Sequence, residues 1–302
     1  MKIISPARAK FVTVLFWLTC SCFSQSLTQQ ETAYFNKKED SLVKLQNLTF
    51  FSKTDSLRLR SNAKFMAMLD EVLLNQLSYY YPFDSLKEIS RLYAGGQKVR
   101  IITWNLERPD GTFQYFGFLQ SKNPKSNSFD LYPLKDKSLT IKNPELFVGD
   151  NNSWFGMLYY NIINCKGYYI LLGWDGNDKT VTRKFIEVLS FKKDGTPVFG
   201  KDVFKFPRKN PKRIMFEYSS KVVMSMRYNP ESQAIIFDHL SAKDEFSTGM
   251  PQYSGPDFSF DAFVFKHHRW YYLEDVDTKN PRNKNDRAGR NSGKEKPLYV
   301  PK

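Results

Sequence analysis

The sequence is poor in the residues from which metal and redox sites are built. Its 302 residues include three cysteines and three histidines. A zinc centre needs three or four His, Cys or carboxylate ligands, two of them usually close together in the chain, and no HxH, HExxH or CxxC pattern occurs. The GxSxG, GxxxxGKS/T and GxGxxG motifs are missing too, so neither a hydrolase elbow nor a nucleotide loop is indicated. No metal or cofactor is expected.

Long hydrophobic runs are also missing, except near the N-terminus. Lys2, Arg8 and Lys10 precede an apolar run over residues 11–23, which ends in a small-residue site before Gln25. This arrangement is typical of a secretory signal peptide and is too short to span a bilayer. The sequence therefore predicts a signal at residues 1–24 and an exported mature protein, in the periplasm, at the cell surface or secreted, that is not transmembrane.

Removal of the signal leaves Cys165 as the only cysteine, so the exported chain has no internal disulfide. A thiol between Ile163 and Tyr168 is expected to pack in the core, and a catalytic cysteine is the less favoured alternative. Acylation at Cys20 or Cys22 is an alternative to simple cleavage, but the preceding residues fit a lipoprotein signal poorly. A lipid anchor is not expected.

The positive charge is concentrated at the two ends of the chain. Of the formal net charge of +14, the signal contributes +3 and residues 278–302 contribute +6, which leaves +5 for residues 25–277. Nucleic-acid binding needs a concentrated basic face, so no nucleic-acid partner is expected. Residues 278–302 are rich in Lys, Arg and Asn and poor in apolar residues, which predicts a disordered basic tail.

Residues 25–97 have a helical pattern. Asp40, Asp55 and Asp84 each precede a Ser-Leu pair, and Asp is a favoured N-cap residue. We therefore predict three helices, the third ending at residues 94–96, where two glycines stop it. The clearest apolar stripe follows Asp55 at three- and four-residue steps; it consists of Leu59, Phe65, Met66, Leu69, Val72, Leu73 and Leu77.

Residues 98–277 have a strand pattern with about ten short strands and tight turns. The strongest hairpin signal is Arg108-Pro109-Asp110-Gly111, whose flanking strands are apolar on both faces, so both faces should be covered. The fold class is predicted to be α+β and mostly β: N-terminal helices packed on a large, curved antiparallel β-meander, with residues 25–97 and 98–277 forming one compact unit.

Residues 174–178, Trp-Asp-Gly-Asn-Asp, form an acidic corner between two apolar runs. Calcium needs six to eight oxygen ligands, and this corner lacks the alternating spacing and the later Glu of a calcium loop. Gly176 and Asn177 both tolerate a positive φ. A hairpin loop is therefore favoured over a metal site.

Four residues are candidates for catalysis: Asp175, Glu187, Asp238 and His239. Neighbours in a strand point to opposite faces, so Asp238 and His239 do not pair with each other, and a carboxylate partner for His239 must come from another strand. Glycoside hydrolysis needs two carboxyls about 5 to 9.5 Å apart. Asp261 and Glu274 are further carboxylates from which such a pair could be built.

Aromatic residues make up 16% of the chain. Amphipathic rings serve in binding sites, and Trp174, Arg183 and Trp270 are the candidate ligand-binding residues. Aromatic side chains also form cross-strand pairs inside sheets, so a place in the core is the safer interpretation for both tryptophans.

Six segments resemble a family of exported Bacteroidota proteins without assigned function, over about residues 98 to 277. The resemblance implies a shared β core and export, and it brings no activity. The segments are Leu172-Gly173-Trp174-Asp175-Gly176, Arg183-Lys184-Phe185-Ile186-Glu187-Val188-Leu189, Pro197-Val198-Phe199-Gly200, Arg213-Ile214-Met215-Phe216-Glu217-Tyr218, Phe237-Asp238-His239-Leu240 and Gly255-Pro256-Asp257-Phe258-Ser259-Phe260-Asp261.

No catalytic constellation stands out, so a non-catalytic binding or structural role is the leading hypothesis, with an envelope ligand or protein as partner. A hydrolase of glycan or envelope material, using a carboxylate pair, is the alternative. A carrier of an apolar ligand is the second alternative. The three differ in structure: they need an exposed aromatic platform, a cleft with facing carboxylates, or a deep aromatic cavity.

Overall fold

The computed structural model describes residues 26–96, 98–126, 128–206 and 210–277. The predicted signal peptide and basic tail lie outside the described residues. Two α-helices come first, α1 (Gln29–Phe51) and α2 (Asp55–Leu74). The strands are β1 (Ser90–Tyr93), β2 (Val99–Glu107), β3 (Phe113–Lys122), β4 (Phe129–Lys135), β5 (Leu158–Cys165), β6 (Tyr168–Asp175), β7 (Val181–Phe191), β8 (Pro197–Phe199), β9 (Phe204–Lys205), β10 (Ile214–Ser219), β11 (Met226–Asn229), β12 (Ala234–Ala242), β13 (Ser254–Lys266) and β14 (Arg269–Leu273). The predicted α+β, mostly β fold class is confirmed.

Threonines, and not the predicted aspartates, cap the two helices. The Thr28 hydroxyl accepts a hydrogen bond from the Glu31 backbone, and the Glu31 carboxylate accepts one from the Thr28 backbone, which is a capping box. The Thr54 hydroxyl caps α2. The N-cap predicted at Asp40 is wrong, because Asp40 lies inside α1. Asp55 follows the true cap by one residue.

The predicted third helix is wrong. The chain after Asp84 forms a turn and then β1, which pairs antiparallel with β2. The Glu39 carboxylate of α1 accepts a hydrogen bond from the Ser85 backbone at 2.6 Å, so this corner is bound to α1 and does not start a helix. Gly96 has a φ of +82° and reverses the chain between β1 and β2, where the sequence predicted a helix stop.

The strands form three sheets, where the sequence predicted one meander. The helix-side sheet has the order β1-β2-β3-β4. The middle sheet has the order β10-β7-β6-β5, with β8 also on β7, and the outer sheet has the order β11-β12-β13-β14-β9. All pairings are antiparallel except the short one between β14 and β9.

The turn after β10 carries the chain from the middle sheet to the outer sheet. In a simple meander β10 would pair with β11, but β10 pairs with β7 and β11 pairs with β12. The Ser220 backbone donates to the Thr180 carbonyl at 2.9 Å, and its hydroxyl donates to the Lys179 carbonyl at 2.7 Å. The loop before β7 therefore fixes this turn in place of a partner strand.

Side chains from alternate strand positions fill three cores between four layers. The first core, between the helices and the helix-side sheet, contains Phe35, Phe65, Leu69, Trp104 and Phe118. The second core, between the helix-side and middle sheets, contains Tyr115, Leu119, Leu171, Phe185 and Leu189. The third core, between the middle and outer sheets, contains Leu172, Ile186, Ile235, Phe263 and Trp270. The β2–β3 hairpin is thus covered on both faces, as its two-sided apolar pattern predicts.

Cys165 is a half-buried free thiol at the end of β5, and it packs against the third core. Burial raises the pKa of this thiol to about 11, so the thiol stays protonated and weakly nucleophilic at neutral pH. Neither α1 nor α2, the α-helices of the described chain, has the length and hydropathy of a membrane-crossing segment.

Candidate functional site

The acidic corner after β6 is a hairpin loop that uses its own carboxylates. Asp175 Oδ1 accepts a hydrogen bond from the Asn177 backbone at 2.8 Å, and Asn177 has a φ of +52°. Asp178 Oδ1 accepts from the Thr180 backbone at 2.7 Å and from its hydroxyl at 2.7 Å. Such Asx contacts replace the missing backbone hydrogen bonds of a turn. The structure therefore agrees with the favoured interpretation of this corner.

Tyr115 connects the corner to the helix-side sheet. Its hydroxyl donates to Asp175 Oδ1 at 2.8 Å and accepts from the Gly176 backbone at 2.9 Å. Burial raises the pKa of Asp175, while its hydrogen bonds oppose this shift. Burial also raises the pKa of Tyr115, so the phenol remains a neutral donor. A Cβ at Gly176 would meet the Phe113 ring at 2.2 Å, which explains why this position needs glycine.

Trp174 and Arg183 lie beside the same corner. The Arg183 Nε donates to Glu217 Oε1 at 2.7 Å, and its Nη1 lies 3.6 Å from Asp175 Oδ2. The half-buried Trp174 contacts the Phe113 ring edge-on, with centroids 5.5 Å apart. The corner thus joins three of the sequence-predicted site residues, Trp174, Asp175 and Arg183. The Arg183 guanidinium is shared between the carboxylates of Asp175 and Glu217.

Glu187 lies inside the molecule, in an ion pair with Arg213. Arg213 Nε donates to Glu187 Oε2 at 2.7 Å, and both side chains are 0% exposed. The other oxygen, Oε1, accepts from the Val188 backbone at 2.7 Å. Burial raises the pKa of Glu187, and Arg213 opposes the shift. Arg213 also donates to the Pro144 carbonyl, so the pair ties the loop before β5 to the middle sheet.

Asp238 holds the start of β11. Its Oδ2 accepts from the Ser225 backbone at 2.6 Å, and its own backbone donates to the Ser225 carbonyl at 3.1 Å. Burial lowers the pKa of Lys184, and the charge of Asp238 opposes that shift. Asp238 is therefore tied to the neighbouring strand and not to His239.

His239 forms a polar cluster with residues of β13 and β14. Its Nδ1 lies 2.8 Å from Asp261 Oδ2, which also accepts from the Tyr272 hydroxyl at 2.7 Å. The other oxygen of Asp261 accepts from the Asp275 backbone at 3.1 Å. The partner of His239 thus comes from another strand, as strand geometry requires. The hydrogen bond to Asp261 raises the pKa of His239, and the charges of Asp257 and Glu274 act in the same direction.

A bulge in β13 lies opposite His239. The register passes from Asp238 to Leu240 on β12 and from Phe260 to Pro256 on β13, so residues 257–259 have only His239 facing them. The ring-bearing residue of this bulge, Phe258, has a φ of +73° and is 95% exposed. Pro256 gives a signal of the irregularity in the sequence, because proline inside a strand marks a bulge or an edge.

The sequence-predicted residues do not meet in one place. Asp175, Arg183 and Glu187 face the second core from the middle sheet. The four-residue step along β7 places Glu187 about 13 Å from Arg183. His239 and Asp238 lie on the outer sheet, on the far side of that layer. Trp270 is 1% exposed inside the third core and packs on the Phe265 ring at 5.1 Å.

Several side chains that complete these clusters were not predicted from the sequence as site residues. Tyr115, Arg213, Glu217 and Tyr272 supply the partners for the predicted residues. Each comes from a different strand than its partner, so only the pairing of the sheets brings it close. Phe258 belongs to a segment quoted above for its resemblance, yet its exposure depends on the bulge.

Two grooves lie on the surface, one of which shares Glu217 with the cluster around Arg183. One, of about 490 Å³, is lined by residues that include Lys137, Lys142 and Phe147. The other, of about 440 Å³, is lined by residues that include Glu145 and Glu217. Both open to solvent, in contrast to the filled cores between the sheets.

Within the described ranges, no group of three or more His, Cys, Asp or Glu side chains is arranged to hold a metal ion. Comparisons with family models, with curated proteins and with solved structures find no match to this chain. The geometry of the polar clusters and of the bulge therefore carries the functional argument.

Proposed function

We propose that the protein is an exported, non-catalytic binding protein of the periplasm or the cell surface. One observation carries this proposal: the three carboxylates predicted as catalytic candidates are bound to internal partners in separate places. Asp175 holds a loop, Glu187 is paired with Arg213 and enclosed, and Asp238 holds β11. A catalytic acid or base must reach its substrate within hydrogen-bonding distance, and the enclosed Glu187 does not meet the surface.

The exposed aromatic bulge supports binding at the surface. Single exposed apolar side chains are common on protein surfaces, but a residue whose backbone is strained and held by paired strands marks a functional position. Phe258 meets this condition, because the paired strands on both sides of the bulge fix its backbone. The filled cores offer less support for a carrier, which would enclose its ligand.

A hydrolase is the second candidate function, and the groove beside β10 is the observation that favours it. Glu145 and Glu217 both line this groove, and a carboxylate pair is the basis of glycoside hydrolysis. Glu217 is engaged by Arg183 at 2.7 Å, which favours a structural role for its carboxylate. The non-catalytic role is therefore preferred.

Export is tested by the N-terminus of the chain that a bacterium produces from the full sequence. We expect a mature chain that begins at Gln25, in the periplasmic or extracellular fraction, as measured by mass spectrometry of the intact protein. A matched variant, Leu15→Lys with Leu18→Lys, breaks the apolar run and should keep the chain inside with its signal uncleaved.

The same mass distinguishes the alternatives. A lipid-modified N-terminus at Cys20 or Cys22 would establish anchoring in place of simple cleavage. An uncleaved wild-type chain in the cytoplasm would contradict the proposed export.

A further inference from the structure

The Phe258 bulge combines backbone strain with full exposure of a large ring. A phenylalanine at a positive φ is an outlier, because its Cβ crowds the backbone there, and its φ is +73°. Burial does not compensate for the strain, since the residue is 95% exposed. Strained residues of this kind are concentrated at ligand-binding positions, so the bulge is the candidate ligand-binding position.

Polar groups flank the bulge, because residues 257–259 face His239 in the strand register and the charge of Asp257 acts on His239. The buried Asp261 orients the imidazole through Nδ1, which leaves Nε2 without a hydrogen-bond partner among the described residues. Asp257 Oδ1 accepts from the Ser259 backbone at 3.0 Å and from its hydroxyl at 2.7 Å, so this carboxylate is held in a fixed turn. The site thus offers an exposed ring on a backbone held by paired strands, an oriented imidazole and a fixed carboxylate.

We propose that the bulge site, which consists of Phe258, His239 and Asp257, binds a neutral glycan. The inference rests on the proposed binding role and names its ligand class. The C–H face of a sugar would stack on the Phe258 ring, and its hydroxyl groups would bond to His239 Nε2 and to Asp257. Asp261 and Tyr272 are positioning residues, because they act through His239.

The charges around the site select against anionic ligands. Asp257 and Glu274 both act electrostatically on His239, and Asp261 lies in direct contact with it. These carboxylates repel an anionic sugar, and the exposed Asp257 can accept hydrogen bonds from neutral hydroxyls. The site is also open, which suits a polymer chain that passes over it better than an apolar molecule that needs enclosure.

Affinity electrophoresis of the mature chain tests the proposal. Gels cast with a soluble neutral glucan, xylan or mannan are compared with gels that contain polygalacturonate. We expect retardation of the wild type in at least one neutral gel, and loss of about tenfold in affinity for Phe258→Ala. Phe246→Ala is the matched control, since Phe246 is 92% exposed in a different loop and should leave the affinity unchanged.

A second variant separates binding from folding. Phe258→Gly removes the ring and places at this φ the residue that tolerates it, so it should raise the melting temperature while it weakens retardation as much as Phe258→Ala does. His239→Gln should weaken retardation as well, without a change of the ligand preferred.

Four results would overturn the proposal: no retardation of the wild type in any neutral gel, retardation by polygalacturonate alone, equal loss in the two Phe→Ala variants, or a dimer that Phe258→Ala disperses. Absence of retardation in every neutral gel overturns the ligand class. It leaves the proposed binding role in place if the chain is exported and does not shorten the polymers. Shortening of a neutral polymer would instead contradict the non-catalytic role.

Discussion

Arg213→Met is expected to lower the free energy of unfolding by about 3–5 kcal/mol. The substitution leaves the Glu187 carboxylate without its cation at a position where both side chains are 0% exposed. Burial already raises the pKa of Glu187, so part of the loss will appear as proton uptake by the variant. Denaturant titration followed by tryptophan fluorescence measures the change.

Two controls show whether the charge or the packing causes this loss. The double variant Glu187→Leu with Arg213→Met removes both charges, and replacing a buried ion pair by apolar residues is often neutral or stabilising. It should therefore recover most of the loss. Asp202→Asn opens the exposed pair with Arg269 and should cost about 0.5 kcal/mol or less. An Arg213→Met chain as stable as the Asp202→Asn chain would contradict the account of this pair.

Asp261→Ala is the second substitution with a large expected effect, about 2–3 kcal/mol of unfolding free energy. It removes the acceptor of His239, Tyr272 and the Asp275 backbone, and Asp261 is only 4% exposed. Water replaces part of the loss at the half-exposed His239 and Tyr272, so the effect stays below the sum of three bonds. Thermal unfolding followed by circular dichroism measures the loss of stability. A loss no larger than that of Asp202→Asn would contradict the stabilising role of Asp261.

The dependence on pH provides a separate readout for His239. Its pKa is raised in the folded state above the unfolded value of about 6.5. The charged pair with Asp261 therefore stabilises the fold fully below the unfolded pKa, and this contribution is lost as the pH rises through the folded pKa. The melting-temperature difference between the wild type and His239→Gln should shrink as the pH rises above about 6.5 and through the raised pKa of the folded state. A constant difference would show that packing alone holds the ring.

Local patterns in the sequence predict the elements better than their pairing. The turn at residues 108–111 appears where the sequence places it, with a φ of +87° at Gly111. The two-sided apolar pattern of β2 and β3 also predicts cover on both faces. These features depend on residues that are near one another in the chain.

The failures share a physical cause, which is long-range contact. The segment after Asp84 has helical spacing, but the Glu39 carboxylate and β2 hold it in another conformation. The strands β10 and β11 are contiguous in sequence, yet each finds a longer partner in a different sheet. Tertiary context overrides short segments of weak propensity.

In the candidate site, too, local features were predictable from the sequence and features that depend on strand pairing were not. The hairpin loop at Asp175 was predictable because Gly176 and Asn177 carry its turn chemistry. The need of His239 for a carboxylate from another strand was predictable too, whereas the choice of Asp261 depends on the register of β12 and β13. The strain at Phe258 arises only because the bulge gives residues 257–259 a single facing residue.

Binding without chemistry is the central claim, and the length of a bound polymer tests it most directly. A soluble neutral polysaccharide that retards the wild type is incubated with the wild type, Glu145→Gln and Glu217→Gln, and its chain length is then measured by size-exclusion chromatography. The account predicts that all three proteins leave the length unchanged, although the wild type binds. Shortening by the wild type that is lost in Glu145→Gln or Glu217→Gln would contradict it and assign hydrolysis to the groove that these two residues line.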